Sequence, residues 1–192
     1  MQCVAEASGE ERRVEAADLQ SRFVRGEAEA FGEIVEMYGQ RVARLTQRLI
    51  GYRGEVDDLV QDVFLAALEH RRRFRGESTL WTWLTSITVN RCRSHWRRER
   101  VRRLGAKLPG GGGAAAPADR GAIEDEAAGK IRAAVGELPW RQREVIVLHY
   151  FEEMPIAEIG RVLGEGEGAV KVRLHRARLR LREELGDEMM EK

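Results

Sequence analysis

Apolar positions recur with a helical period along most of this chain. Phe31, Ile34, Val35, Tyr38, Val42, Leu45 and Leu49 follow one another at three- and four-residue spacings, which puts them on one stripe of a helix. Gly51 and Gly54 end that helix. Leu59, Val60, Val63, Phe64 and Ala67 form a second stripe. A third helix is predicted from about Thr79 to Arg103, apolar in its first half and arginine-rich in its second. No stretch alternates with the period of two that a half-buried strand requires. The first half of the chain therefore reads as a helical bundle.

The segment from Pro109 to Gly121 reads P-G-G-G-G-A-A-A-P-A-D-R-G. Consecutive glycines and two prolines do not sit inside a helix or strand, so the pattern predicts a flexible linker. Helical spacing resumes after it. Ile131, Val135 and Leu138 mark one helix, Pro139 opens a second covering Arg141 to Phe151, and Pro155 opens a short one to Leu163. Gly164-Glu165-Gly166-Glu167-Gly168 is a tight turn, and a last helix runs from about Glu167 to Leu185. Short helix, glycine turn, basic helix is the helix-turn-helix pattern. The expected fold class is all-α, with two small helical domains at 20–104 and 128–186. A mobile extension at 1–19, a linker at 105–127 and a tail at 187–192 complete the expected organisation.

Composition narrows the function classes. With 192 residues and 43% hydrophobic content, the chain has material for a core. The uncharged run Ser78 to Asn90 is too short to span a bilayer. The stretch Met1 to Arg13 mixes acids and bases without an apolar segment, so no secretory signal and no membrane insertion are expected. Two cysteines, Cys3 and Cys92, make no disulfide framework, which favours a cytoplasmic protein.

The net charge of +1 conceals an asymmetry. Residues 1–70 hold 8 basic and 14 acidic residues, a balance of −6. Residues 71–103 hold 11 arginines against Glu77 and Glu99, a balance of +9. Lys171 to Arg182 carries six positive charges and no acid. Two basic blocks on an otherwise acidic chain suggest two contacts with a polyanion, the plainer alternative being two solvated helix faces. At about 100° per residue, Val170, Leu174, Ala177 and Leu181 share a narrow arc of the last helix. Val172, His175 and Arg176 lie opposite with Lys171 at the edge, placed to face a DNA major groove. Arg173, Arg178, Arg180 and Arg182 flank the arc and suit phosphates.

Here the sequence resembles a known family. Gly168-Ala169-Val170-Lys171-Val172-Arg173-Leu174-His175-Arg176-Ala177-Arg178 is similar to the recognition helix of extracytoplasmic-function (ECF) sigma factors, G-T-V-K-S-R-L-x-R-A-R. Glu137-Leu138-Pro139 and Glu158-Ile159-Gly160 resemble its L-P and E-I-A positions. Val56-Asp57-Asp58-Leu59-Val60-Gln61-Asp62-Val63-Phe64 resembles its polymerase-binding segment, A-E-D-L-x-Q-E-x-F. Phe74-Arg75-Gly76, Trp83-Leu84, Ile87 and Asn90 match further positions in order.

The resemblance implies an initiation factor whose first domain, similar to sigma region 2, binds RNA polymerase core and opens the −10 element. The second domain, similar to region 4, would read the −35 element through Lys171, Val172, Arg173, His175, Arg176 and Arg180. Asp58, Gln61 and Asp62 would contact the polymerase, while Leu59, Val63 and Phe64 serve the core. Asn90 matches the position lining a pocket for a flipped base, and Arg91, Arg93, Arg97, Arg98 and Arg100 supply charge for a single strand. Promoter DNA and an anti-sigma factor are the implied partners. Trp81 and Trp83 suit stacking on bases, although tryptophan in an apolar helix more often belongs to the core. Ala169 and Val172 replace a threonine and a serine of the pattern, which removes two hydroxyls and leaves the −35 preference open. Gly160 replaces an alanine and is expected to weaken its short helix slightly.

Other constellations are weaker. Cys92 and His95 stand three apart as half a metal site, but no further cluster completes it, so no metal and no cofactor are expected. There is no P-loop, G-x-S-x-G or H-E-x-x-H, and hence no sign of an enzyme. The rival readings are a helix-turn-helix regulator that never joins polymerase, a polymerase-binding decoy and, more distantly, an RNA-processing enzyme.

Overall fold

The computed structural model describes residues 17–51, 55–106 and 126–186. The glycine-rich segment 109–121, the first sixteen residues and the tail 187–192 lie outside the described residues. Among the described residues every regular element is helical. The first domain holds α1 (17–25), α2 (Ala28–Ile50), α3 (Val56–His70), a 3-10 turn at Arg71–Arg73 and α4 (Leu80–Ala106). The second holds α5 (Glu126–Glu137), α6 (Trp140–Ile146), a π-helical turn at Val147–Phe151, α7 (Ile156–Leu163) and α8 (Glu167–Leu185).

The two stripes read from the sequence are the core. Ile34, Val42, Leu45 and Leu49 of α2 meet Leu59, Val63 and Phe64 of α3, and Leu84 and Val89 of α4 close the bundle. Each such side chain, fully buried, contributes about 1.5–3 kcal/mol. Trp83 packs between Phe23 and Phe74, with ring centroids 6.1 and 5.4 Å away. Trp81 is 8% exposed, stacks on Tyr38 and lies under the Arg41 guanidinium at 3.9 Å. Trp81 is therefore a core residue, and Trp83 is partly buried against that core.

Four local expectations are corrected. The helix α1 already includes residues 17–19, and Leu19 and Phe23 are buried, so folded structure begins before residue 20. The helix expected over Arg141–Phe151 is an α-helix to Ile146 that widens into a π-turn, closed by Glu152 N–H donating to the Val147 carbonyl at 3.2 Å. The α4 helix runs on to Ala106, past the expected end near Arg103. Gly160 is a requirement of the turn rather than a mere weakness. A Cβ there would lie 2.7 Å from the Glu165 carbonyl oxygen, because the chain doubles back after Gly164 (φ 67°) and Glu165 N–H bonds the Gly160 carbonyl.

The two domains are docked. The Arg143 guanidinium of α6, 8% exposed, donates to the Leu49 carbonyl at the end of α2 at 2.8 Å. Trp96 of α4 lies 6.0 Å from Trp140 of α6, and Thr82 of α4 hydrogen-bonds the Glu158 carboxylate of α7.

Candidate nucleic-acid interface

Helix α4 divides its basic block by helical phase. Asn90, Ser94, Arg97, Arg98 and Val101 are exposed and follow one stripe, so Asn90 shares its face with two of the predicted arginines. Arg100 is exposed too, but its guanidinium sits 5.5 Å over the Trp96 ring on the flank nearer the second domain. Arg91 is half-buried. Arg93 departs from the expectation. It is 24% exposed and donates to Glu144 of α6 at 2.9 Å, so in the docked form it faces protein rather than solvent. Its position 60° from the Asn90 stripe puts it beside the second domain.

Helix α8 behaves as the wheel predicts on its outer face. Val170, Leu174, Ala177 and Leu181 are buried, while Lys171, Val172, His175, Arg176 and Arg180 are exposed. Its N-cap is Gly166, which has no side chain to cap the first turn. The outer face is also partly apolar, since Val172 is 49% and Leu179 is 45% exposed. Arg173 is the exception among the predicted reading residues. Only 13% exposed, it binds Glu165 at 2.6 Å, the Arg141 carbonyl and the Glu144 carboxylate. Its guanidinium is spent on these partners within the second domain and ties α8 to α6.

The polymerase candidates Asp58, Gln61 and Asp62 are exposed on one face of α3, opposite the buried Leu59, Val63 and Phe64. Leu65, 57% exposed, stands in the middle of that face and was absent from the sequence-based set. Its signal was available, for it falls out of phase with the α3 core stripe.

Two further residues were missed. Glu144 and Glu152 are almost completely buried, with side chains 1% and 3% exposed. Glu144 receives Arg93 and Arg173; Glu152 receives Arg41 at 3.2 Å and Arg48 at 2.9 Å. Buried carboxylates are tolerated only with such partners. In the sequence Glu144 falls at the apolar phase Trp140, Glu144, Leu148, which marks a buried charge.

Cys92 is fully buried, and burial pushes its thiol up to about 12. His95 lies 3.1 Å from the Glu55 carboxylate. Among the described residues no cluster of three potential metal ligands occurs, and no helix is long and apolar enough to cross a membrane.

A helical bundle bearing an arginine-rich helix, docked to a helix-turn-helix with an exposed basic face, defines a two-domain DNA-binding protein. Residues 34–102 match Sigma-70 region 2, and residues 128–181 match Sigma-70, region 4. The ECF RNA polymerase sigma factor SigW of Bacillus subtilis is 32% identical over 176 residues, covering 85% of this chain and 92% of SigW. The solved structure of CnrH in complex with the cytosolic domain of CnrY superposes with a TM-score of 0.66 at 28% identity, covering 88% of this chain and 96% of that one. The sigma factor RpoE of Bartonella quintana, in complex with the anti-sigma factor NepR, gives 0.65 at 25% identity and covers 84% and 99%. The chain belongs to the ECF family of RNA polymerase sigma factors. The match to region 2 sets aside the regulator that never joins polymerase. The family is one of transcription initiation factors.

Proposed function

We propose that this chain, as a cytoplasmic sigma factor and not an enzyme, joins RNA polymerase core through the α3 face of Asp58, Gln61, Asp62 and Leu65. Leu65 supplies an apolar centre that a flat acidic face would lack. The exposed stripe of Asn90, Arg97 and Arg98, with Arg100 and Arg91 beside it, receives the −10 strand. Lys171, Val172, His175 and Arg176 of α8 face the −35 major groove, with Arg180 on phosphate. Domain limits close to 17–106 and 126–186 serve these two tasks. The observation that carries the reading is the separation of surfaces. The acidic α3 face and the basic stripes of α4 and α8 all lie on exposed sides of one small protein. An anti-sigma factor is the further partner, a reading supported by the two solved relatives, each of which holds a partner protein.

The test is run-off transcription from a promoter selected with the purified chain and core polymerase, no other factor being present. The chain is expected to start transcription by itself. Asn90→Ala is expected to impair opening, read by permanganate footprinting, more than closed-complex binding, since an unstacked base costs a few kcal/mol that a pocket must return. Silence with core alone, together with stimulation of polymerase that already holds another sigma, would overturn the reading.

A further inference from the structure

The line of α8 opposite its core is apolar, where a helix facing DNA is expected to be polar. The buried stripe of Val170, Leu174, Ala177 and Leu181 sets the inner side of the helix. At about 100° per residue Val172 lies diametrically opposite that stripe, and Leu179 falls on the same line about two turns later. Both are exposed. His175 and Arg176 flank the line, one on each side, and are exposed as well. The neighbouring residue fixes the rotation of the helix about its axis, since Arg173 is held by Glu165, the Arg141 carbonyl and Glu144. Val172 therefore stands at the centre of the outer face, near the N-terminal end that enters a major groove. Leu179 lies about 10 Å further along the axis, beyond the turns that reach base edges.

A side chain at the centre of that face meets the floor of the groove, and valine brings no donor or acceptor to it. Among the four bases only thymine offers the major groove an apolar group, its C5 methyl. The donors and acceptors of the other bases lose water against a valine and gain no partner. Selectivity thus has two sources, contact with the methyl and rejection of the other edges. Branching at Cβ leaves valine one strongly preferred rotamer in a helix, so its methyl groups are in place before DNA arrives. We propose that Val172 is a specificity-determining residue that reads the C5 methyl of one thymine in the −35 element. The inference rests on the reading of α8 as the −35 helix and adds which base this chain selects there. Residues 172 and 176 are about 6 Å apart along the axis, and base pairs stack about 3.4 Å apart. The thymine accordingly lies within about two base pairs of the base that Arg176 contacts.

The experiment uses the full-length chain assembled with core polymerase. Duplexes with a randomised −35 region are first selected by this holoenzyme. Each thymine of the enriched element, on either strand, is then replaced in turn by deoxyuridine, which pairs identically and lacks only the methyl. Affinity is read by fluorescence anisotropy at fixed salt. One replacement is expected to weaken wild-type binding about fourfold, the effect of one buried methyl group, and the others to change it little. Val172→Ser is expected to bind the thymine and uracil duplexes equally, and Val172→Ile to keep the preference. The ratio within each variant is the readout, because a partly unfolded variant binds both duplexes less without changing their ratio. A Val172→Ser chain that still prefers thymine at the same position overturns the inference. Wild-type indifference to every replacement on an enriched element overturns the methyl contact alone. Selection that enriches no −35 sequence overturns the reading of α8 itself, and this inference with it.

Discussion

Helices α4 and α8 carry similar charge but present it differently. α8 keeps a narrow core arc along its length, so Lys171, His175, Arg176 and Arg180 are exposed from its first turns onward. α4 is a core helix for half its length, with Leu84, Val89 and Cys92 buried, and becomes a basic surface helix in its second half. Each gives up one arginine, Arg93 or Arg173, to the same Glu144. A rigid, one-sided helix suits a duplex groove read from outside. A helix rooted in a core suits a strand that must be held while its partner is pulled away.

Removing the shared carboxylate is the severest test of this contrast. Glu144→Ala would leave two partly buried arginines without it, and breaking one side of a buried pair costs about 3–5 kcal/mol. Because Arg93 keeps 24% exposure, a loss near 3 kcal/mol is expected in urea unfolding, within the second domain. A loss below about 1 kcal/mol would show that Glu144 is no structural partner to either helix.

Next in size is the difference in how the two helices touch DNA. Arg176→Ala should weaken promoter duplex binding by about 1–3 kcal/mol while leaving random duplex less affected, as expected of a base contact. Arg98→Ala should instead lower the salt slope by about one unit on any sequence. Identical behaviour of the two variants on specific and random DNA would erase the distinction drawn between α4 and α8.

Gly160→Ala probes how α8 is aimed. A methyl group 2.7 Å from the Glu165 carbonyl must displace backbone, at about 1–3 kcal/mol, against a helix-propensity gain of about 1 kcal/mol. A net loss near 1 kcal/mol in thermal unfolding is expected. A stabilised variant would mean that the turn tolerates alanine.

The smallest effect at neutral pH concerns the dry half of α4. Burial raises the Cys92 thiol from the ordinary 9.0 to about 12. The neutral thiol is the form the folded state favours. Its contribution is therefore complete below about pH 9 and is lost as pH rises toward 12. Stability should fall across that window and fall less steeply in Cys92→Ala. At pH 8, peptide mapping after iodoacetamide treatment should find Cys92 unmodified in the native chain.

Much of this was legible in the chain itself. Helical stripes persist because burial rewards a 3.6-residue period, so α2, α3, α7 and α8 stood in the sequence almost as they fold. Prolines 139 and 155 cap α6 and α7, since proline presets the backbone and lacks the donor a helix start does not need. Ordered motifs carried the family, and the helical wheel of α8 found its exposed face. What the wheel could not show is which neighbour lies alongside. Arg173 and Arg180 both flank the same core arc in sequence, yet only Arg173 meets Glu144 and Glu165, because α6 packs on that side. Likewise, Arg93 and Arg97 belong to one basic block, yet Arg93 meets Glu144 because the second domain lies against its flank. The docking of the domains, the π-turn that brings Glu152 to α2, and the close approach that demands glycine at 160 arise from contacts between residues far apart in the chain. A local period reports which residues will be buried. Only tertiary packing decides what a buried charge is paired with, because that choice depends on where another helix ends.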